Sequence, residues 1–133
     1  MAANVARNLG FQIVHFIRRR VQVTDAGLLS GYRIGTIPNR SFIQAVAIHK
    51  VTAFNSTATD TLQLGTTAAG VDVLAATDVH TTGYVSLTSA AGLGLAVTTS
   101  GDIDIFVKWV SGGGSPNAGD VTVTLAYIPD NDG

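Results

Sequence analysis

The sequence predicts an all-β chain: a single-domain, jelly-roll-like β-sandwich of about eight strands, with one short helix and an N-terminal arm. Three observations carry this expectation. In the last third of the chain, apolar and polar residues alternate with period two, as in a strand with one buried and one wet face. Clusters of Gly, Pro, Asn, Asp and Ser recur at short, fairly regular spacing, which is turn chemistry. Only 13% of the residues are charged, 15 are Gly, and Ala, Val and Thr abound. That suits β-branched strands joined by tight turns, with much of the surface covered by partners.

The length of 133 residues is that of one domain, enough to bury a core without a disulfide or metal. There is no cysteine, which excludes a disulfide framework and thiolate zinc sites. No apolar run approaches the roughly 20 residues of a membrane helix. The N-terminus, Met1-Ala-Ala-Asn-Val-Ala-Arg-Asn8, has no apolar core of signal-peptide length. No membrane partner and no secretion signal are expected. The net charge of −1 is unevenly placed: residues 1–50 hold seven Lys and Arg against one Asp, and residues 51–133 hold one Lys against eight Asp. Every acid is Asp, a residue of turns and caps rather than of helix interiors.

Taken in order, residues 1–10 are polar and small and read as an arm that a neighbour would order, leaving residues 11–133 as the sandwich domain. Phe11 to Val23 is a strand, apolar on both faces until the run Arg18-Arg19-Arg20. Such a strand is covered on both sides or lies against a partner. Gly31 to Ile37 is a short strand ended by Pro38-Asn39, and Ser41 to Phe54 is a long apolar one with poor alternation. Asp60 to Leu64 is a strand with Leu62 and Leu64 facing in. Asp72 to Thr77 is where the helix falls, since Asp72 can cap it and the alanines favour it. Tyr84 to Leu87 and Leu93 to Thr99 are further strands. The chain closes on Asp102 to Val110 and Asp120 to Ile128, read as an antiparallel hairpin around the flexible tip 111–119. Ile103, Ile105, Val107 and Trp109 of one arm, and Val121, Val123, Leu125 and Tyr127 of the other, make its apolar face.

No constellation of residues points to a reaction. His15, His49 and His80 lie in different segments, none at the spacing of a metal or catalytic motif. His15 and His49, among apolar neighbours, read as structural imidazoles. Asp102 and Asp104 share a strand face and are either a cation site or a solvated face answered by Lys108, although the usual calcium loop is missing. There is no Gly-x-Ser-x-Gly elbow. Gly112-Gly113-Gly114 follows one strand and precedes another, so it is no phosphate cradle. No catalytic residue, cofactor or metal is therefore expected. The arginines Arg7, Arg18, Arg19, Arg20, Arg33 and Arg40 are the interface candidates. The Arg18–Arg20 run is either a solvated edge that discourages strand addition or a contact to an acidic protein surface. The near-zero net charge and the lack of interleaved aromatics argue against nucleic acid as a partner.

Two stretches resemble small structural proteins of tailed bacteriophages. Gly35-Thr-Ile-Pro-Asn-Arg-Ser-Phe-Ile43, running on to Val51-Thr-Ala-Phe-Asn55, is similar to their "GTLPAGAVI … TAFN" pattern. Leu62 to Val79 is similar to their "L-x-V-G-T-x-A-D-x-D-x-x-x-A-A-x-D-V" segment. The closing strand entered through Ala118-Gly119-Asp120 is also similar, so the likeness spans about residues 31–128. At Ala69-Gly70-Val71-Asp72 the chain departs from the Ala-Asp-Pro-Asp often found in that family. The resemblance implies a jelly-roll capsid decoration (cement) protein or minor virion protein, made in the host cytoplasm. It would bind the major capsid protein and associate with itself as a homodimer or homotrimer. A tail, baseplate or connector protein, and a carbohydrate-binding sandwich, are the alternatives. The second would show exposed aromatics over a groove, which the sequence does not indicate.

Overall fold

The computed structural model describes residues 14–38, 40–87 and 101–129. Eight strands form: β1 His15–Gln22, β2 Tyr32–Ile37, β3 Phe42–Thr52, β4 Asp60–Gly65, β5 Leu74–Asp78, β6 Gly83–Leu87, β7 Ile103–Ser111 and β8 Asp120–Ile128. They build two antiparallel sheets, ordered β1-β8-β3-β6 and β2-β7-β4-β5. First pairs with last, second with second-last, third with β6 and fourth with β5, so the chain is a long nested hairpin rolled up. The additional pairs β8-β3 and β7-β4 close it into two layers, the jelly-roll arrangement.

The core is the space between the layers. Val21, Val46, Ile48, Val121, Val123 and Leu125 of the first sheet face Ile37, Leu62, Leu64, Ile105, Val107 and Trp109 of the second, all buried. Phe54, in the connector after β3, packs its ring 4.9 Å from that of Trp109. The alternation in the last two strands thus marks the core-facing residues correctly.

Two expectations are corrected, and the irregular alternation of a third segment is explained. The final two strands are not a hairpin: β7 pairs with β2 and β4, and β8 with β1 and β3. Their apolar faces meet across the core. The connector between them is an inter-sheet bridge, and it is fastened rather than loose. Asn117 N and Ala118 N both donate to Asn55 Oδ1 at 2.9 Å, and Thr57 N donates to Gly113 O at 3.1 Å. Gly112 has to be glycine there, because a Cβ would stand 2.3 Å from Thr59 N.

The second correction is the helix over Asp72 to Thr77. No helix occurs among the described residues, and Leu74–Asp78 is the edge strand β5, paired with β4. Asp72 does cap, but it caps a loop: its carboxylate takes Thr66 N at 2.9 Å and Thr66 Oγ1 at 2.7 Å. The helix propensity of the alanines, small beside tertiary context, yields to the ladder that β4 offers. The long strand expected over Ser41 to Phe54 is present as β3, and its poor alternation comes from register shifts between Ile43 and Ala45 and between Lys50 and Thr52. Each shift inserts a residue, so the face that points inward changes parity. The arm, residues 11–13 and the expected strand Leu93 to Thr99 lie outside the described residues.

Candidate functional site

The two outer faces of the sandwich differ in chemistry. On the second sheet, Arg33, Thr36, Asp104, Phe106 and Lys108 point outward. Asp104 accepts from Thr36 Oγ1 at 2.7 Å and lies 3.5 Å from Arg33 Nη1. Arg33 and Thr36, not Lys108, therefore answer this carboxylate, and no group of three or more potential metal ligands occurs among the described residues. Part of the same face is covered by the chain's own 66–70 loop, held down by Gln63 Nε2 donating to Ala69 O at 3.0 Å.

The first sheet presents three cross-strand rows outward. Their registers run Phe16–Ala126–Ala45, Arg18–Thr124–Ala47 and Arg20–Thr122–His49–Tyr84. Small residues of β8 and β3 make the floor. Phe16 and Arg18 of β1 stand on one side, His49 and Tyr84 on the other, enclosing a groove of about 380 Å³. Phe16 is 64% exposed and Tyr84 66%, high values for large apolar rings. Tyr84 meets His49 edge-on at 6.5 Å. This groove was not legible in the sequence, because its residues come from four strands that the chain visits far apart.

The arginine candidates are not brought together. Arg18 and Arg20 rise from the outer face of the first sheet. Arg20 binds Asp120, its Nη2 2.5 Å from Oδ2, and this hydrogen bond holds the Asp120 carboxyl below its usual range. Arg18 makes no ion pair among the described residues. Arg19 belongs to the other side of β1, where its guanidinium lies 5.4 Å from the centre of the Tyr32 ring. Arg33 is on the opposite sheet, Arg40 sits in the β2–β3 turn at φ 64°, and Arg7 lies outside the described residues.

The histidines also differ from expectation. His15 and His49 are both exposed: His49 is on an outward position of β3, whereas His15 shares the core-facing side of β1 but sits at the strand's first residue, stacked on Tyr127 at 5.7 Å. His80 is part of a cluster that sequence spacing did not disclose. Its Nδ1 lies 2.7 Å from Oδ2 of Asp60, whose residue is 0% exposed. Trp109 Nε1 donates to Asp60 Oδ1 at 2.8 Å and Ser56 N to Oδ2 at 3.0 Å. Burial pushes the Asp60 carboxyl up, but the bonds from His80, Ser56 and Trp109 outweigh it and hold the group below its usual value. An Asp–His pair suggests general-base chemistry, but a nucleophile within reach of the imidazole is required. The hydroxyl in this cluster, Ser56 Oγ, instead donates to Thr59 O at 2.9 Å. The arrangement is a structural staple joining β4, β7 and the β5–β6 loop.

The sequence matches no protein-family model and no curated protein. Its fold has counterparts among solved structures. A chain of the cyanophage Pam1 capsid asymmetric unit superposes with a TM-score of 0.69 at 19% identity, covering 90% of this chain and 88% of that one. A chain of the capsid of Ralstonia phage GP4 gives 0.63 at 16% identity, covering 88% and 84%. A chain of the acid-stable capsid of Helicobacter pylori bacteriophage KHP30 gives 0.62 at 10% identity, covering 87% of each. The fold is one found in phage capsids. At these identities the likeness concerns the backbone arrangement, and the residues that face partners are this chain's own.

Proposed function

We propose that this chain is a non-enzymatic structural protein of a tailed-phage virion, seated on the capsid surface as a decoration or cement protein that binds the major capsid protein. The observation that carries the reading is the breadth of the fold correspondence. Three chains, each from a phage capsid, superpose over most of this chain and most of their own length. The surface chemistry supports it. The sandwich has a continuous buried core and an open, largely apolar groove on one outer face. A weak contact repeated at every lattice position strengthens a shell without any reaction.

The test is to add the purified chain to undecorated expanded capsids and measure binding by sedimentation. Saturable binding, with copy number in fixed proportion to the major capsid protein, is expected. No saturable binding would sink the reading. A copy number far below that of the shell protein would move the chain to the tail, baseplate or connector.

A further inference from the structure

We propose that the outer face of the β1-β8-β3-β6 sheet is the docking groove, and that its occupant is a short, extended, acidic segment of the shell protein bearing one large apolar side chain. This rests on the virion reading above and names the surface that does the work. The argument begins with dimensions. Walls on β1 and β6 stand three interstrand spacings apart, about 14 Å, and the floor from Ala126 to Thr122 is four strand residues, about 14 Å long. That space admits one extended segment of about four residues lying along the strands.

The floor and walls specify the side chains. Ala45, Ala47 and Ala126 leave an apolar depression beside Phe16, which suits a Leu or an aromatic ring set against Phe16, with Tyr84 two rows farther along the groove. Burying those two rings is the apolar gain of the contact.

Charge then selects the partner. Arg18 borders the groove and has no ion pair among the described residues. No carboxylate lines the groove among the described residues. An incoming Asp or Glu beside Arg18 would make a charge-assisted bond that the free protein lacks. A second copy of this chain fits less well. Each described Asp already holds partners within its own molecule, as Asp25 does with Tyr32, Asp78 with Thr81 and Asp120 with Arg20. The opposite outer face is crossed in part by the 66–70 loop, and its Asp104 is answered internally.

The experiment uses the full chain and undecorated expanded capsids, with three variants. Ala47→Arg fills the floor, Arg18→Glu reverses the selecting charge, and Lys108→Glu changes charge equally on the opposite sheet. Near-ultraviolet circular dichroism and thermal midpoint establish that each is folded. Ala47→Arg and Arg18→Glu are each expected to weaken capsid binding at least about tenfold, with Lys108→Glu unchanged. Wild-type binding should weaken with added salt, and that dependence should shrink in Arg18→Glu. If the wild type binds and both groove variants bind as well as it does, the groove is not the contact and the virion reading survives. Equal weakening by Lys108→Glu would also overturn the groove. If the wild type fails to bind at all, both fall together. If the wild type is an oligomer that Ala47→Arg turns into a monomer, the occupant is a second copy and the acidic-segment assignment is overturned.

Discussion

Asp60 is the residue on which one end of the sandwich hangs. It receives Trp109 Nε1, Ser56 N and His80, and its own backbone carbonyl accepts Val79 N at 2.9 Å. Asp60→Asn keeps the shape but offers an amide N–H where these donors need an acceptor. The expected loss is about 1–3 kcal/mol, read from urea denaturation. The sign with pH follows from the same bonds. Asp60, Asp72, Asp78 and Asp120 all have folded-state pKa values held below their ordinary value. A depressed carboxyl contributes stability that is present above its unfolded pKa, about 3.9, and lost as pH falls through the folded value. The protein should therefore lose stability below about pH 4, and Asp60→Asn should flatten that slope in acid titrations followed by Trp109 fluorescence. Ser41 presents the opposite case. Its hydroxyl is buried and has no hydrogen-bond partner among the described residues. Ser41→Ala removes an unanswered polar group and should raise stability by up to about 1 kcal/mol, and a lower denaturation midpoint would show that the hydroxyl is satisfied.

At the scale of elements, the connectors decide as much as the strands. The β1–β2 connector must pass close to the 66–70 loop, and Gly31 is where it does so. Gly31 has φ +95°, and a Cβ there would stand 2.0 Å from Ala68 O. Gly31→Ala combines left-handed strain with a backbone clash and should destabilise by about 2 kcal/mol or more, measured by thermal melting. The 112–119 bridge is fastened to the 55–59 connector through Asn55, so Asn55→Ala should make the bridge a site of limited proteolysis while the sheets persist. These contacts explain why the glycine-rich stretch reads as a flexible tip in the sequence. Composition reports which backbone angles are open to it, whereas the fastening depends on Asn55, Ser56 and Thr57, more than 50 residues away.

For the molecule as a whole, the pairing of β1 with β8 joins the two ends of the described chain. Such long-range pairing delays the reward for closing the chain, so folding should occur in milliseconds to seconds, and microsecond refolding by stopped flow or temperature jump would contradict the topology. The contrast between the two outer faces belongs to this scale as well. One face is partly covered by the chain's own 66–70 loop and pairs its Asp104 with Arg33 and Thr36, and the other leaves two aromatic rings facing outward beside Arg18, which has no ion pair among the described residues.

What the sequence determined by itself was the strand character of most segments and, in β7 and β8, the side of the strand that is buried. Those are local properties: neighbouring side chains alternate in direction whatever the strand pairs with, so Ile105, Val107, Val123 and Leu125 declare their side without knowledge of a partner. Only the tertiary structure decided which sheet each strand joined, that Leu74–Asp78 became an edge strand, and that Asp60 met His80 and Trp109. It alone placed Phe16 and Arg18 on one side and Tyr84 diagonally on the other of a floor of alanine and threonine. Those outcomes depend on contacts between residues tens of positions apart, and no periodicity along the chain encodes a contact of that kind.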